Sequence, residues 1–182
     1  DDATPGAFYA HVPKRNMFYD IAQDMARSGY NMFAGARLRG KTPEGGKDVK
    51  TILTEAGYTI TKGPKGYEEK KNKDKLVLLN TTETIDHIGY AIDSIAENLS
   101  LPFITRACLE HQLKVSPKRF FIMVEGGLID HSLHANDAGT SVKEIIDFNN
   151  AIRVAYDFYL KHKDETLIVV TADHNTGGMA AG

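Results

Sequence analysis

Cysteine is almost missing from this sequence of 182 residues. Cys108 stands alone, so no disulfide can form within the chain. It lies in ITRACLEHQL, a stretch of helical character, where it reads as a small core residue. Long apolar runs are missing too: none reaches the roughly 18 residues that a membrane-spanning helix needs, and no secretory leader is recognisable. An excess of charge of one sign is also absent. With 22 basic against 24 acidic residues, the net charge is -2, which argues against a nucleic-acid groove. The basic run from Lys65 to Lys75 is broken by acids and reads as a solvated loop or helix face. What is present is an ordinary globular composition, 42% hydrophobic and 25% charged, enough to bury a core. The length fits one domain or a large part of one. No internal repeat or domain boundary is visible, so residues 1–182 are read as a single, partial domain. The chain opens on Asp1-Asp2-Ala3-Thr4-Pro5 without a methionine and closes on Thr176 to Gly182 directly after a motif. Both ends are therefore expected to be cut points.

Periodicity predicts an alternation of helices and strands. Asn16 to Ser28 has helical apolar spacing at Met17, Ile21 and Met25 and stops at Gly29. Tyr30 to Ala34 is a strand candidate. Lys47 to Glu55 is a second helix, ended by Gly57. Tyr58 to Thr61 and Leu76 to Leu79 are further strands. Leu101 to Leu113 is a helix with Ser100 as its N-cap and Pro102 in the first turn. Phe120 to Val124 and Thr166 to Thr171 are continuous apolar runs of the kind expected of strands buried on both faces. Between them, Ser141 to Lys161 is a long helix with Ile145, Ile146, Phe148, Ile152, Ala155, Tyr156 and Tyr159 on or near one face. This order implies an α/β fold, a mostly parallel sheet sandwiched by helices and incomplete at both ends.

Both apolar runs end in metal-type residues. FFIMV leads into Glu125-Gly126-Gly127, and TLIVVTA leads into Asp173-His174. In open parallel sheets, ligands bind outside the carboxyl ends of the strands, which would place Glu125, Asp173 and His174 on one edge. The stretch EGGLIDHSLHAND adds Asp130, His131, His134 and Asp137. Asp130 and His134 are four apart and share a face if that turn is helical, giving a carboxylate and an imidazole suited to Zn²⁺. His131 points elsewhere, toward substrate. Singly, each has a plain alternative: Glu125 as a solvated carboxylate, the histidines as surface residues, Asp173-His174 as a turn, Asp137 as a loop residue or helix cap. Mixed imidazole and carboxylate donors suit zinc, and oxygen-only sites suit magnesium. Two such ions about 4 Å apart can clamp an in-line phosphoryl transfer, with an arginine fork on the equatorial oxygens.

Three segments resemble the alkaline phosphatase family: DDATPGAFYAHVPKR, VEGGLIDHSLHAND and VTADHNTGG. DFNNAIRVAYDF is also similar to the helix before the last of these. The resemblance implies that Asp130 and His134 are ligands for one zinc, and Asp173 and His174 for a second. It implies that Glu125 and Thr4 hold magnesium, with Asp2 supporting that ion through its water shell. It places Arg15 on the substrate phosphate and His131 in the phosphate region. By themselves Thr4 and Arg15 read only as a loop residue and a surface base.

The resemblance further implies hydrolysis of phosphate monoesters through a phosphoserine intermediate, with a phosphate monoester or inorganic phosphate as partner and a periplasmic or secreted setting. The family's nucleophile is a serine upstream of the DATP segment. None of serines 28, 94, 100, 116, 132 and 141 stands in a matching motif. With two ligands for each zinc, the expectation is weak or empty metal sites and no activity from this chain alone. A missing central strand would favour a homo-oligomer. A related phosphodiesterase or sulfatase, or a non-catalytic metal- or phosphate-binding fragment, are the alternatives.

Overall fold

The computed structural model describes residue 2, residues 4–93 and residues 97–178. Its centre is a three-stranded parallel sheet of β1 (Met32–Gly35), β2 (Thr59–Lys62) and β3 (Leu76–Leu79), with β3 in the middle. Alternate side chains of a strand face opposite ways, and β3 uses this fully. Val77 and Leu79 enter a cluster with Ala22, Met25, Val49, Leu53 and Tyr58. Leu76 and Leu78 enter another with Met32, Tyr67, Leu99, Ile104 and Ala107. The helices follow from that division. On the first face lie α1 (Phe18–Arg27) and α2 (Val49–Glu55); on the second lie α3 (Gly63–Lys70) and α4 (Leu101–Val115). This is the expected α/β sandwich of a parallel sheet with helices on both faces. Asp48 caps α2, accepting from the backbone N–H of Lys50 (2.9 Å) and Thr51 (3.2 Å). Ser100 caps α4 as expected, accepting from Phe103 N–H at 3.4 Å. Cys108 packs against the second cluster, and burial pushes its thiol up to about 12.

The other long elements among the described residues are helices. α5 (Gly127–His134) and α6 (Ala138–Tyr159) pack on each other, and α6 lies along α4. Two expectations fail here. Residues 120–124 and 166–171 form no strand: no described segment pairs with them through the backbone hydrogen bonds that a strand requires. Their side chains are correspondingly open, Phe121 by 56%, Leu167 by 86% and Val169 by 73%. The expected apolar face of α6 is only partly its packing face: Phe148, Ile152, Ala155 and Tyr159 are half-buried. Thr140, Ser141, Glu144 and Ala151 are buried, while Ile145, Ile146 and Tyr156 are exposed. The inward groups are polar but satisfied. Ser141 bonds Ser132 of α5 at 3.0 Å, and Glu144 accepts the backbone N–H of Ala91 at 2.6 Å. Asp137 serves as N-cap of α6, accepting from Thr140 N–H at 3.0 Å. The accessible surface is 11261 Å², against about 8,700 Å² expected of a globular monomer of this mass. No helix among the described residues is long and apolar enough to cross a membrane.

His111 of α4 is 1% exposed, its Nε2 3.2 Å from the carbonyl oxygen of Asp74. Burial lowers its pKa below the ordinary histidine value. The folded protein therefore holds fewer protons at this site than the unfolded chain. Stability is fully present above the unfolded value of about 6.5 and is lost as pH falls toward the folded value. Urea unfolding between pH 7.5 and 5.5 should show stability falling in that direction. His111→Gln should flatten the slope.

Candidate metal and phosphate site

The helix α5 is a short one of about two turns, capped by Gly126 and beginning at Gly127, and it sets Asp130 and His134 one turn apart. His134 Nε2 lies 3.5 Å from Asp130 Oδ2. The segment after residue 171 folds back onto this helix. Thr176 Oγ1 donates to Asp130 Oδ1 at 2.5 Å and lies 3.1 Å from His174 Nδ1. A glycine permits that approach. Gly177 has φ +74°, and a Cβ there would sit 2.2 Å from the carbonyl oxygen of Leu133 in α5. His174 Nδ1 is also 3.1 Å from the carbonyl oxygen of Asn175. A carbonyl only accepts, so Nδ1 can donate to it when it carries the proton. Nε2 faces Asp173 Oδ2 at 3.4 Å. The imidazole and the carboxylate thus stand as a close pair, with the other ring nitrogen beside a carbonyl. The Thr176 hydrogen bond, ahead of the nearby His134, His174 and His131, holds Asp130 below the usual carboxylate range.

The second part of the site gathers the start of the chain. Thr4 N–H donates to Glu125 Oε1 at 3.3 Å. Desolvation raises the Glu125 pKa against that bond, and the charges of Asp173 and Asp2 raise it further. Three carboxylates thus share one field, which a cation would relieve. Asp2 bridges two arginines: Arg15 Nε lies 3.3 Å from Oδ1, and Arg39 Nη1 pairs with Oδ2.

The structure thus draws Asp130, His134, Asp173 and His174 together through Thr176, and Asp2, Thr4, Arg15 and Glu125 into contact or mutual influence. His131 lies outside both hydrogen-bonded sets, but its charge acts on Asp130 and on His87. Among the described residues no group of three histidine, cysteine or acidic side chains converges as a ligand set. The donors come as two carboxylate–imidazole pairs, Asp130 with His134 and Asp173 with His174. Described serine hydroxyls are engaged elsewhere: Ser28 on Met25 O, Ser100 at its cap, Ser116 on Arg119 O, and Ser132 and Ser141 on each other. Ser94 lies outside the described residues, as do Asp1 and Ala3 of the first motif. Sequence reasoning missed Thr176 and Arg39. Thr176 is inside the VTADHNTGG motif, and its side chain had only to be asked what it could bond. Nothing in the spacing pointed to Arg39.

A parallel α/β sandwich with carboxylate–imidazole pairs beside an arginine defines a class of metal-dependent α/β proteins. The alkaline phosphatase family model matches residues 46–182. Alkaline phosphatase 4 of Bacillus subtilis is 32% identical over 193 residues, and alkaline phosphatase 3 of the same organism is 33% identical over 188 residues. Each match takes in 99% of this chain and 39% of the relative. Among solved structures, a magnesium-bound mutant of the TAB5 alkaline phosphatase superimposes with a TM-score of 0.77 at 32% identity, covering 88% of this chain and 45% of that one. The Thermus thermophilus alkaline phosphatase does so with a TM-score of 0.78 at 25% identity, covering 90% and 35%. This chain belongs to the alkaline phosphatase family, and it spans about two-fifths of the length of the two Bacillus relatives.

Proposed function

We propose that this chain contributes the phosphate-gripping arginine and two zinc-ligand pairs of a phosphomonoester hydrolase, and that alone it is inactive. The observation that supports the reading best is Thr176, which ties the Asp130–His134 pair to the Asp173–His174 pair. Asp130 with His134 and Asp173 with His174 would each hold a zinc, and Glu125 and Thr4, supported by Asp2, a magnesium. When bound, these cations supply Lewis-acid polarisation of phosphoryl oxygens. Arg15 would present its fork to the phosphate, held by Asp2 in the meantime. His174 would offer Nε2 as a donor atom while Nδ1 contacts the Asn175 carbonyl oxygen. His131 would lie in the phosphate region. The described serine hydroxyls are all engaged elsewhere, which supports the expectation of no turnover from these residues alone. The exposed apolar runs would favour association with a second copy, and a periplasmic or secreted setting goes with the family likeness.

The test is elemental analysis after dialysis against zinc and magnesium, with p-nitrophenyl phosphate turnover beside it. Well below two zincs per chain and no turnover above blank are expected, with less zinc still in a variant carrying Asp130→Ala and His174→Ala. Zinc retention identical in that variant would sink the ligand assignment. Two tightly held zincs with turnover would sink the inactivity.

A further inference from the structure

We propose that the basic cleft beyond the carboxyl ends of β1 and β3 is a second anion subsite, fitted to phosphate esters whose leaving group is itself anionic. The proposed function supplies only the first phosphate position, at Arg15. The cleft has a volume of about 320 Å³ and is lined by Phe18, Tyr19, Arg37, Arg39, Lys41 and Asp86 among others. Its position is where open parallel sheets bind ligands: Arg37, Arg39 and Lys41 follow β1, and Asp86 follows β3.

The cleft is built rather than casual. Gly40 packs so closely on the start of α1 that a Cβ would lie 3.0 Å from Phe18 O and from Tyr19 Cα. The Arg39 guanidinium lies 4.1 Å from the centre of the Phe18 ring, which fixes its plane. Arg37 reaches Asp86 Oδ1 at 2.5 Å, and Arg39 Nε lies 3.7 Å from Asp86 Oδ2. Arg39 also pairs with Asp2, the carboxylate that holds Arg15. An unbroken series of alternating charges therefore joins Arg37 to Arg15. Among the described residues, four cations along it, Lys41 included, meet two carboxylates, and the surplus is positive. Arg15 and Arg39 share one carboxylate, so an anion on the cleft side lies one short linkage from a phosphate on Arg15. A diphosphate, or a monoester bearing a second phosphate or a carboxylate, has that shape.

Pyrophosphate and orthophosphate are the probes, titrated calorimetrically into the whole chain in metal-free buffer. Pyrophosphate should bind at least fivefold more tightly. A variant with Arg37→Ala and Lys41→Ala should lose that margin while orthophosphate affinity is unchanged and circular dichroism shows the fold intact. The charge-matched variant Lys70→Ala with Lys73→Ala, on and just after α3, should keep it. Absent pyrophosphate binding, an absent margin, or a margin that survives loss of Arg37 and Lys41 or vanishes with Lys70 and Lys73 would overturn the subsite. Arg15→Ala should weaken orthophosphate. If it does not, while the margin persists, the phosphate role of Arg15 fails and the subsite stands.

Discussion

Leu78→Ala should lower the free energy of unfolding by about 2–5 kcal/mol, the usual range for truncating a fully buried leucine. Leu78 is 0% exposed, in the central strand, and β3 is enclosed by helices on both faces. The space left behind cannot close easily, because β1 and β2 hold β3 in register on either side. For a chain of this size the loss corresponds to a fall in Tm of roughly 4–20 °C. Thermal unfolding followed by circular dichroism measures it. A change below about 1 kcal/mol would mean that the sheet is not the stability centre described here.

Gly177→Ala should weaken zinc binding by about 10- to 100-fold, the range seen when groups that orient metal ligands are lost. The added methyl would meet the Leu133 carbonyl oxygen at 2.2 Å, at a φ that side chains rarely adopt. The segment must then lift from α5. The hydrogen bond from Thr176 to Asp130 goes with it, and His174 leaves the Asp130–His134 pair. Zinc titration against a competing chelator reads the effect. The core is remote from Gly177, so Tm should move far less than in Leu78→Ala. Unchanged zinc affinity would show that the two pairs do not act together.

Most of the helices and all three paired strands were legible in the sequence, because their apolar spacing and their packing agree. Val77 and Leu79 alternate with Leu76 and Leu78, and both sets are buried. The pattern failed where apolar character and burial part company. FFIMV and TLIVVT have the composition of buried strands, but a strand also needs a neighbour, and no residue within a segment encodes one. In α6 the largest side chains suggested the packing face, whereas Ser141 and Glu144 sit inward because each finds a hydrogen-bond partner. For the site, Asp130 and His134 were legible from helical spacing alone. Arg15 and Thr4 needed a family likeness, since only the folded chain brings them to Asp2 and Glu125. Arg39 was hidden in a loop after β1, where nothing in the local sequence distinguishes it from any other surface base.

The excess accessible surface has a thermodynamic meaning. A heat capacity change on unfolding arises mainly from apolar groups meeting water for the first time. Leu167, Val169, Ile145 and Phe121 already meet it in the folded chain, so they add little when the chain opens. The increment per residue therefore falls short of the typical 12–15 cal/mol/K or so. For this chain alone, as a monomer, the free energy of folding then bends only gently with temperature, and covering those side chains would restore the usual curvature.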